Sequence, residues 1–291
     1  MHPNFITKFF QNFIKDKDIR TFKNNYYYYL FFRLIRNFLN CYLEVKIYNF
    51  KILASNTKNK ISHALLKKCR FDDQSELKLI EKISKKNKIF LLDCGCNYGF
   101  YSFYTASLSS QNFVVAIEAS LNTVEDFKKN LNLNKFNNII LKNFAISDVD
   151  NTTIIFNESQ NDWESSLTHN EFDEKKITKI KTQKIDTIIK NQKINDYSLL
   201  IKLDIEGNEL QAIEGAKNTI QKYKPLIIIE LSSYIFNNKN QAFDYLKSFL
   251  SEFNYSIYST KMKLITIEDV TILINNLDTK HKTIGNYYLI N

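Results

Sequence analysis

Five carboxylates stand where alternating strands and helices would bring chemistry to one edge of a sheet. Asp93 closes the apolar run 89–92, and Glu118 closes the run 113–117. Asp204 follows the run 199–203 with Glu206 two residues on, and Glu230 closes the run 226–229. Open α/β sheets bind ligands beyond the carboxyl ends of their strands, so acids at successive strand ends converge on one crevice. Between Asp93 and the next helix lies "DCGCNYG", with Gly95 and Gly99 around Asn97. The chain has only five glycines, and Gly95, Gly99, Gly207 and Gly215 lie in this loop and in "IKLDIEGNELQAIEGA". In so glycine-poor a sequence, tight turns and close backbone approach are demanded at those two places.

Glu118 follows Asp93 by 25 residues. An acid at the end of the second strand accepts the hydroxyls of a ribose. Two cofactor classes carry one. A dinucleotide needs a glycine-rich turn at a helix start to cradle its pyrophosphate. Here the loop has one glycine fewer and an acid in front. Asp93 would repel a pyrophosphate but suits the sulfonium and ammonium of S-adenosylmethionine. The reading from residues therefore favours the methyl donor. A nicotinamide oxidoreductase and a non-catalytic nucleoside-binding domain stay as alternatives.

The elements that must position these groups begin at Lys88. Apolar strands alternate from there with amphipathic helices, the pattern of a mostly parallel sheet covered on both faces. Strands are expected at 89–93, 113–118, 139–142, 199–203 and 226–230. Helices are expected from Phe100, over 124–133 and over 209–221. The segments "YSIYST" and "NYYLI" should close the sheet. The polar stretch 158–176 reads as an insertion.

Several pieces, in order, resemble the FkbM family of S-adenosylmethionine-dependent methyltransferases: "DCGCNYGFYSFYTA", "VVAIEAS", "NLNLNKFNNI", "LKNFAISDVD", "SSL", "TQKIDTII", "IKLDIEGNELQAIEGAKNTI" and "KPLIIIEL". The resemblance covers residues 88 to about 232. It implies a class I, Rossmann-like methyltransferase fold with a seven-stranded, mostly parallel sheet, acting on hydroxyls, often of sugars or surface glycans. It implies that Asp93, Gly95, Asn97 and Gly99 hold the methionine part of the donor, that Glu118 holds the ribose, and that Ala145 and Ile146 lie near the adenine. Asp204, Glu206 and Gly207 would form the family's D-x-E-G turn beside the acceptor. Cys94 and Cys96 stand where relatives carry small or aliphatic residues, and Ala119–Ser120 replaces a proline-containing pair.

A sugar hydroxyl is a poor nucleophile unless its proton can leave, so an acid beside the methyl is the expected base. Asp204 is the first choice and Glu206 the second. Oxygen ligation of a metal by Asp204, Glu206 and Glu230 is a weaker alternative, and no metal is expected. Lys202 lies inside the strand, where it can pair with a rim acid. His169, Trp163, Ser165 and Ser166 fall in the polar insertion; the histidine reads as exposed loop, the tryptophan as packing or a sugar platform.

The 291 residues carry a formal net charge of +9. That charge is segregated: residues 1–88 hold 19 basic and 7 acidic side chains, residues 89–291 hold 21 and 24. Basic charge thus belongs to an N-terminal extension, residues 1–87, expected to be mainly helical, and not to the methyltransferase domain at 88–291. With no recognition motif beside it, nucleic acid is not the expected partner. Leu30, Leu34, Phe38 and Tyr42 repeat every four residues, as in an amphipathic helix packed on the domain or held against an anionic membrane. Arg33, Arg36 and Glu44 argue against a spanning helix. Four cysteines fit no disulfide or zinc framework and read as reduced. A cytoplasmic enzyme is the resulting expectation, with peripheral attachment to the inner face of the membrane as the alternative to a helix packed on the domain. The sequence leaves its oligomeric state open.

Overall fold

In the computed structural model, residues 2–39, 41–54, 65–158, 176–232, 239–275 and 283–291 are described. The chain opens with α1 (Phe5–Ile14) and α2 (Tyr26–Ile35), then an antiparallel hairpin of β1 (Leu43–Ile47) and β2 (Phe50–Ala54), then α3 (Gln74–Ser84). There follow β3 (Ile89–Cys94), α4 (Phe100–Leu108), β4 (Phe113–Glu118), α5 (Leu121–Asn134), β5 (Ile139–Asn143) and β6 (Ala145–Ile146). Next are β7 (Thr153–Glu158), β8 (Lys176–Gln183), α6 (Ile185–Lys190) and β9 (Ser198–Leu203). The chain ends with α7 (Glu209–Glu214), α8 (Lys217–Tyr223), β10 (Leu226–Ser232), α9 (Lys239–Glu252), β11 (Ser256–Ser259), β12 (Leu264–Ile265), α10 (Ile267–Asn275) and β13 (Thr283–Ile290).

The main sheet runs β12-β11-β13-β10-β9-β3-β4-β5. Its centre, from β10 to β5, is parallel, and β13 is antiparallel to both its neighbours. Eight strands replace the expected seven because the short edge strand Leu264–Ile265 adds to β11. β6, β7 and β8 form a separate small sheet.

Alternation along the strands divides the core in two. Ile89 and Leu91, Val114 and Ala116, Leu200 and Ile228 join the apolar cluster on one face. Phe90, Leu92, Val115, Ile117, Ile201 and Ile229 join the cluster on the other, with residues of α6 to α10. This period-two sorting has a consequence at the strand ends. Asp93, Glu118, Lys202 and Glu230 continue the series of the first face, the face that the extension shares.

The extension holds, beside its helices, a hairpin that the sequence reading did not separate. Leu43, Val45 and Ile47 alternate with half-buried residues, as do Phe50, Ile52 and Ala54, which is strand and not helix periodicity. The supposed long helix stops at Ile35 and passes through a 3-10 turn to Phe38. It buries Tyr28 and Phe32, not the Leu30–Leu34–Phe38 stripe. One apolar cluster runs without interruption from Phe10 and Phe32 of the extension to Phe103 and Phe127 of α4 and α5. Polar ties reinforce it. Asn130 and Asn134 of α5 accept the backbone N–H groups of Leu53 and Lys51, and Tyr42 donates to Asp126. The expected helix 209–221 is broken at Gly215–Ala216 into α7 and α8.

Candidate active site

The first loop is built by close approach. Gly95 has φ +75°, and a Cβ added there would lie 1.8 Å from the carbonyl oxygen of Asp204. Only glycine lets this loop pack against the second motif. The N–H groups of Gly95 and Cys96 both donate to Ile117 O, and Asn97 N–H donates to Glu118 Oε2 at 3.0 Å. Glu118 Oε1 accepts Ser120 N–H at 2.9 Å. Ala119 N–H adds a third backbone bond, and the carboxylate, with about four acceptor sites, keeps capacity beyond these. Burial outweighs these bonds and pushes the Glu118 carboxyl up to about 7. Gly99, at φ +86°, begins α4, where a Cβ would strike the rings of Phe127 and Phe103. Its surroundings are those of a packing glycine.

Beside this loop lies an ionic row. Register pairs Asp93 with Lys202 across β3 and β9. Lys202 Nζ lies 2.6 Å from Asp204 Oδ2 and 4.7 Å from the Tyr101 ring centroid, and the lysine is 2% exposed. Burial would lower the lysine's pKa, but Asp204 and Asp93 raise it overall, so it stays charged. Burial likewise raises Asp204, yet the charge of Lys202 and hydrogen bonds from Glu230 and Lys202 hold it below the usual range. The Asp204 charge and then burial push Glu230 well above the carboxylate range. Glu230 therefore keeps its proton at neutral pH and shares it with Asp204. Among the described residues, Asp204, Glu206 and Glu230 are one group of acids with an oxygen each within 4.8 Å of the others. Glu206 takes φ +56° at the turn. Glu209 folds back under it, accepting Ile205 N–H and Gly207 N–H, and burial pushes it up to about 7.

Two cavities meet at this row. The first, about 340 Å³, is walled by Asp93, Gly95, Asn97, Lys202 and Asp204 on one side. Ile52–Ala54, Leu65 and Arg70–Asp73 of the extension wall the other side. Sequence reasoning missed the extension here; its signal is the pair Asp72–Asp73 just ahead of α3. Asp73 accepts the Tyr101 hydroxyl at 2.8 Å, and burial raises its pKa. The second cavity, about 500 Å³, is lined by Glu230, Glu76, Ser259 and Asn286, and it shares Asp72 and Asp73 with the first. Among the described residues, no Lys, Arg or His lines it.

The structure thus brings Asp93, Gly95, Asn97 and Asp204 to one cavity, with Glu206 near Asp204. Glu118 accepts the Asn97 N–H of the same loop and stands outside the wall of both cavities. Ala145 packs with Ile180 and Ala119, and Ile146 accepts the Asn208 side chain at 2.5 Å. Both sit between the Glu118 strand end and the D-x-E-G turn, outside the wall of either cavity. Cys94 and Cys96 are buried free thiols whose pKa values burial raises. His169, Trp163, Ser165 and Ser166 lie outside the described residues.

Asp93 is fully buried and accepts the Ser102 hydroxyl at 2.6 Å through one oxygen. Its Oδ1 and the Oδ1 of Asn97 are buried with no hydrogen-bond partner among the described residues. Unsatisfied buried acceptors are costly and call for a donor. Four aspartates, Asp72, Asp73, Asp93 and Asp204, face Lys202 and Arg70 in the wall, so acids outnumber bases. The residues fit the cationic end of S-adenosylmethionine.

A doubly wound sheet of this order, with its ligand-side acids at the ends of the parallel strands, is the class I methyltransferase fold. Residues 93–257 match the methyltransferase FkbM domain, more than half of the chain. The protein belongs to the FkbM methyltransferase family. No curated protein matches it. The chain is similar to a solved FkbM methyltransferase from Methylobacillus flagellatus KT, with 17% identity, TM-score 0.41 and 79% of this chain covered. It spans 52%, about half, of that protein's length. It is also similar to a putative caffeoyl-CoA O-methyltransferase from Staphylococcus aureus, with 17% identity, TM-score 0.43 and coverage of 79% and 88% of the two chains. An O-methyltransferase from Bacillus cereus, solved in complex with SAH, gives 13% identity, TM-score 0.41 and coverage of 75% and 81%.

Proposed function

We propose that this methyltransferase transfers a methyl group from S-adenosylmethionine to a hydroxyl of an uncharged, polyhydroxylated acceptor, of which a sugar or glycan intermediate is the fitting class. The observation that carries the reading is the bond between Asp204, in the wall of one cavity, and Glu230, in the wall of the other. Asp204 faces the cavity whose orphaned acceptors and excess negative charge suit the donor. Glu230 faces a polar cavity with no basic side chain among the described residues that line it. That lining favours hydroxyl donors and disfavours phosphate or carboxylate groups near the reacting atom.

S-adenosylmethionine, when bound, supplies a methyl already activated by its sulfonium. Asp93 and Asn97 hold the methionine end, and Glu118 takes the ribose hydroxyls with its remaining acceptor sites. Ala145 and Ile146 lie on the side where the adenine is expected. Asp204 takes the acceptor's hydroxyl proton, with Glu206 the alternative base. A hydroxyl becomes far more acidic as its oxygen gains a bond, so a carboxylate kept ionised by Lys202 is a sufficient base. Glu230 donates to Asp204 and turns the pair toward the acceptor cavity.

The test is transfer of an isotopically labelled methyl to a panel of neutral sugars, amines and carboxylates of similar size, read by mass spectrometry. Label on a sugar oxygen is the expected result. Transfer confined to nitrogen or to carboxylates contradicts the acceptor reading.

A further inference from the structure

The first two helices carry a surface that methyl transfer does not use. α1 and α2 lie antiparallel: Asn4 Nδ2 at the start of α1 donates to Phe38 O just beyond α2, at 2.6 Å. Their inward faces bury Phe10, Ile14, Tyr28 and Phe32. Their outward faces expose Phe5 and Tyr27 at 82% each, Leu34 at 73%, and also Phe9, Tyr26 and Phe38. Of fourteen large apolar side chains exposed among the described residues, seven fall between residues 5 and 38. Single exposed apolar residues are ordinary; this concentration is not. The Leu30–Leu34–Phe38 repeat belongs to this outward side.

Charge decides what covers the surface. Residues 2–39 carry seven basic side chains and two acids, and the exposed Lys8 and Arg33 stand among the aromatic residues. A second copy docked face to face would bring like charges together. A negatively charged lipid surface complements both the bases and the apolar side chains. Each helix has ten residues, and no helix among the described residues is long and apolar enough to cross a membrane. The helices suit lying in the plane of the interface.

We propose that the outward faces of α1 and α2 dock the enzyme on an anionic lipid surface, with Phe5, Phe9, Leu34 and Phe38 entering the acyl boundary and Lys8 and Arg33 meeting the headgroups. This does not rest on the acceptor reading. Deleting the extension is not a usable test, because Ile52–Ala54, Leu65 and Arg70–Asp73 wall the donor cavity, and Ile52, Ala54 and Leu65 belong to the shared core.

The experiment is flotation of the full chain with vesicles of phosphatidylcholine alone or of phosphatidylcholine mixed with phosphatidylglycerol. The protein should float with the mixed vesicles only, and salt should release it. The variant Phe5→Ser/Phe9→Ser/Leu34→Ser should bind at least about tenfold more weakly with an unchanged melting profile and unchanged donor binding. If that variant does not fold, Lys8→Glu/Arg33→Glu should show the same loss on mixed vesicles. Failure of the wild type to float, or flotation of a folded variant like the wild type, overturns the proposal. So does a wild-type dimer in sedimentation that the triple variant abolishes, since a second copy then covers the face.

Discussion

Lys202 Nζ and Asp204 Oδ2 lie 2.6 Å apart at the junction of the two cavities, with the lysine side chain 3% exposed and the aspartate 35%. The pair keeps a carboxylate ionised between two sites of opposite need. Beneath it lies buried Asp93, paired in register with Lys202; beside it lies Glu230, protonated because Asp204 is charged. Removing the lysine leaves Asp204 and the buried Asp93 without their shared counter-charge.

Lys202→Met should therefore destabilise the fold by about 3–5 kcal/mol, the usual cost of breaking a buried pair. Denaturant unfolding measures it. The double variant Lys202→Met/Asp204→Asn should recover part of the loss, because one unpaired charge is then gone. A double variant less stable than the single by a full additive increment contradicts the pairing.

Asp204→Asn should lower turnover about 10²–10⁴-fold, the range for loss of a general base. Donor affinity should change by less than about tenfold, since Asp93, Asn97 and Glu118 remain. Turnover with saturating donor, beside calorimetric affinity, separates the effects. Near-normal turnover transfers the base role to Glu206, for which Glu206→Gln is the matching variant.

Glu118 makes donor affinity pH-dependent. Its pKa in the folded protein, about 7, lies above the ordinary 4.5, so the free protein holds a proton there that the unfolded chain has lost. Its contribution to stability is thus lost as pH rises from about 4.5 to about 7. Ribose hydroxyls donate to the ionised form, so donor affinity should rise over the same change. A gain of roughly tenfold between pH about 6 and about 8 is expected by calorimetry, with proton release at the lower pH. Glu118→Gln should bind more weakly and flatten the profile. An unchanged slope in that variant removes Glu118 as the cause.

Phe71 stacks on Phe100 with ring centroids 3.8 Å apart, joining the extension to the helix after the glycine loop, and it lines the donor cavity. Phe71→Ala should cost about 3–5 kcal/mol of stability and weaken donor binding. If the extension were an independent appendage, thermal unfolding would lose its single transition and donor binding would not change.

Much of the site could be read from residue order because strand alternation carries it. Asp93, Glu118, Asp204 and Glu230 each follow an apolar run of strand length, and parallel strands place such ends together. What escaped reading had no local period. The extension's hairpin was hidden by aromatic residues that fit a helix or a strand equally well, although Leu43–Val45–Ile47 alternates. Its place over the donor cavity depends on contacts such as Leu53 with Asn130, 77 residues apart. Asparagines that composition alone would assign to coding bias, Asn130 and Asn134 among them, proved to satisfy backbone groups across that seam. Glu209 opens α7, and its bonds to Ile205 and Gly207 appear only once the turn is folded.

The most direct test is a crystal structure of the full chain with S-adenosylhomocysteine. The amino acid end should lie between Asp93–Asn97 and Arg70–Asp73, with both ribose hydroxyls on Glu118. A ligand seated in the Glu230 cavity or outside both, or no binding at roughly millimolar concentration, about the weak end of specific recognition, would contradict the assignment of the donor site.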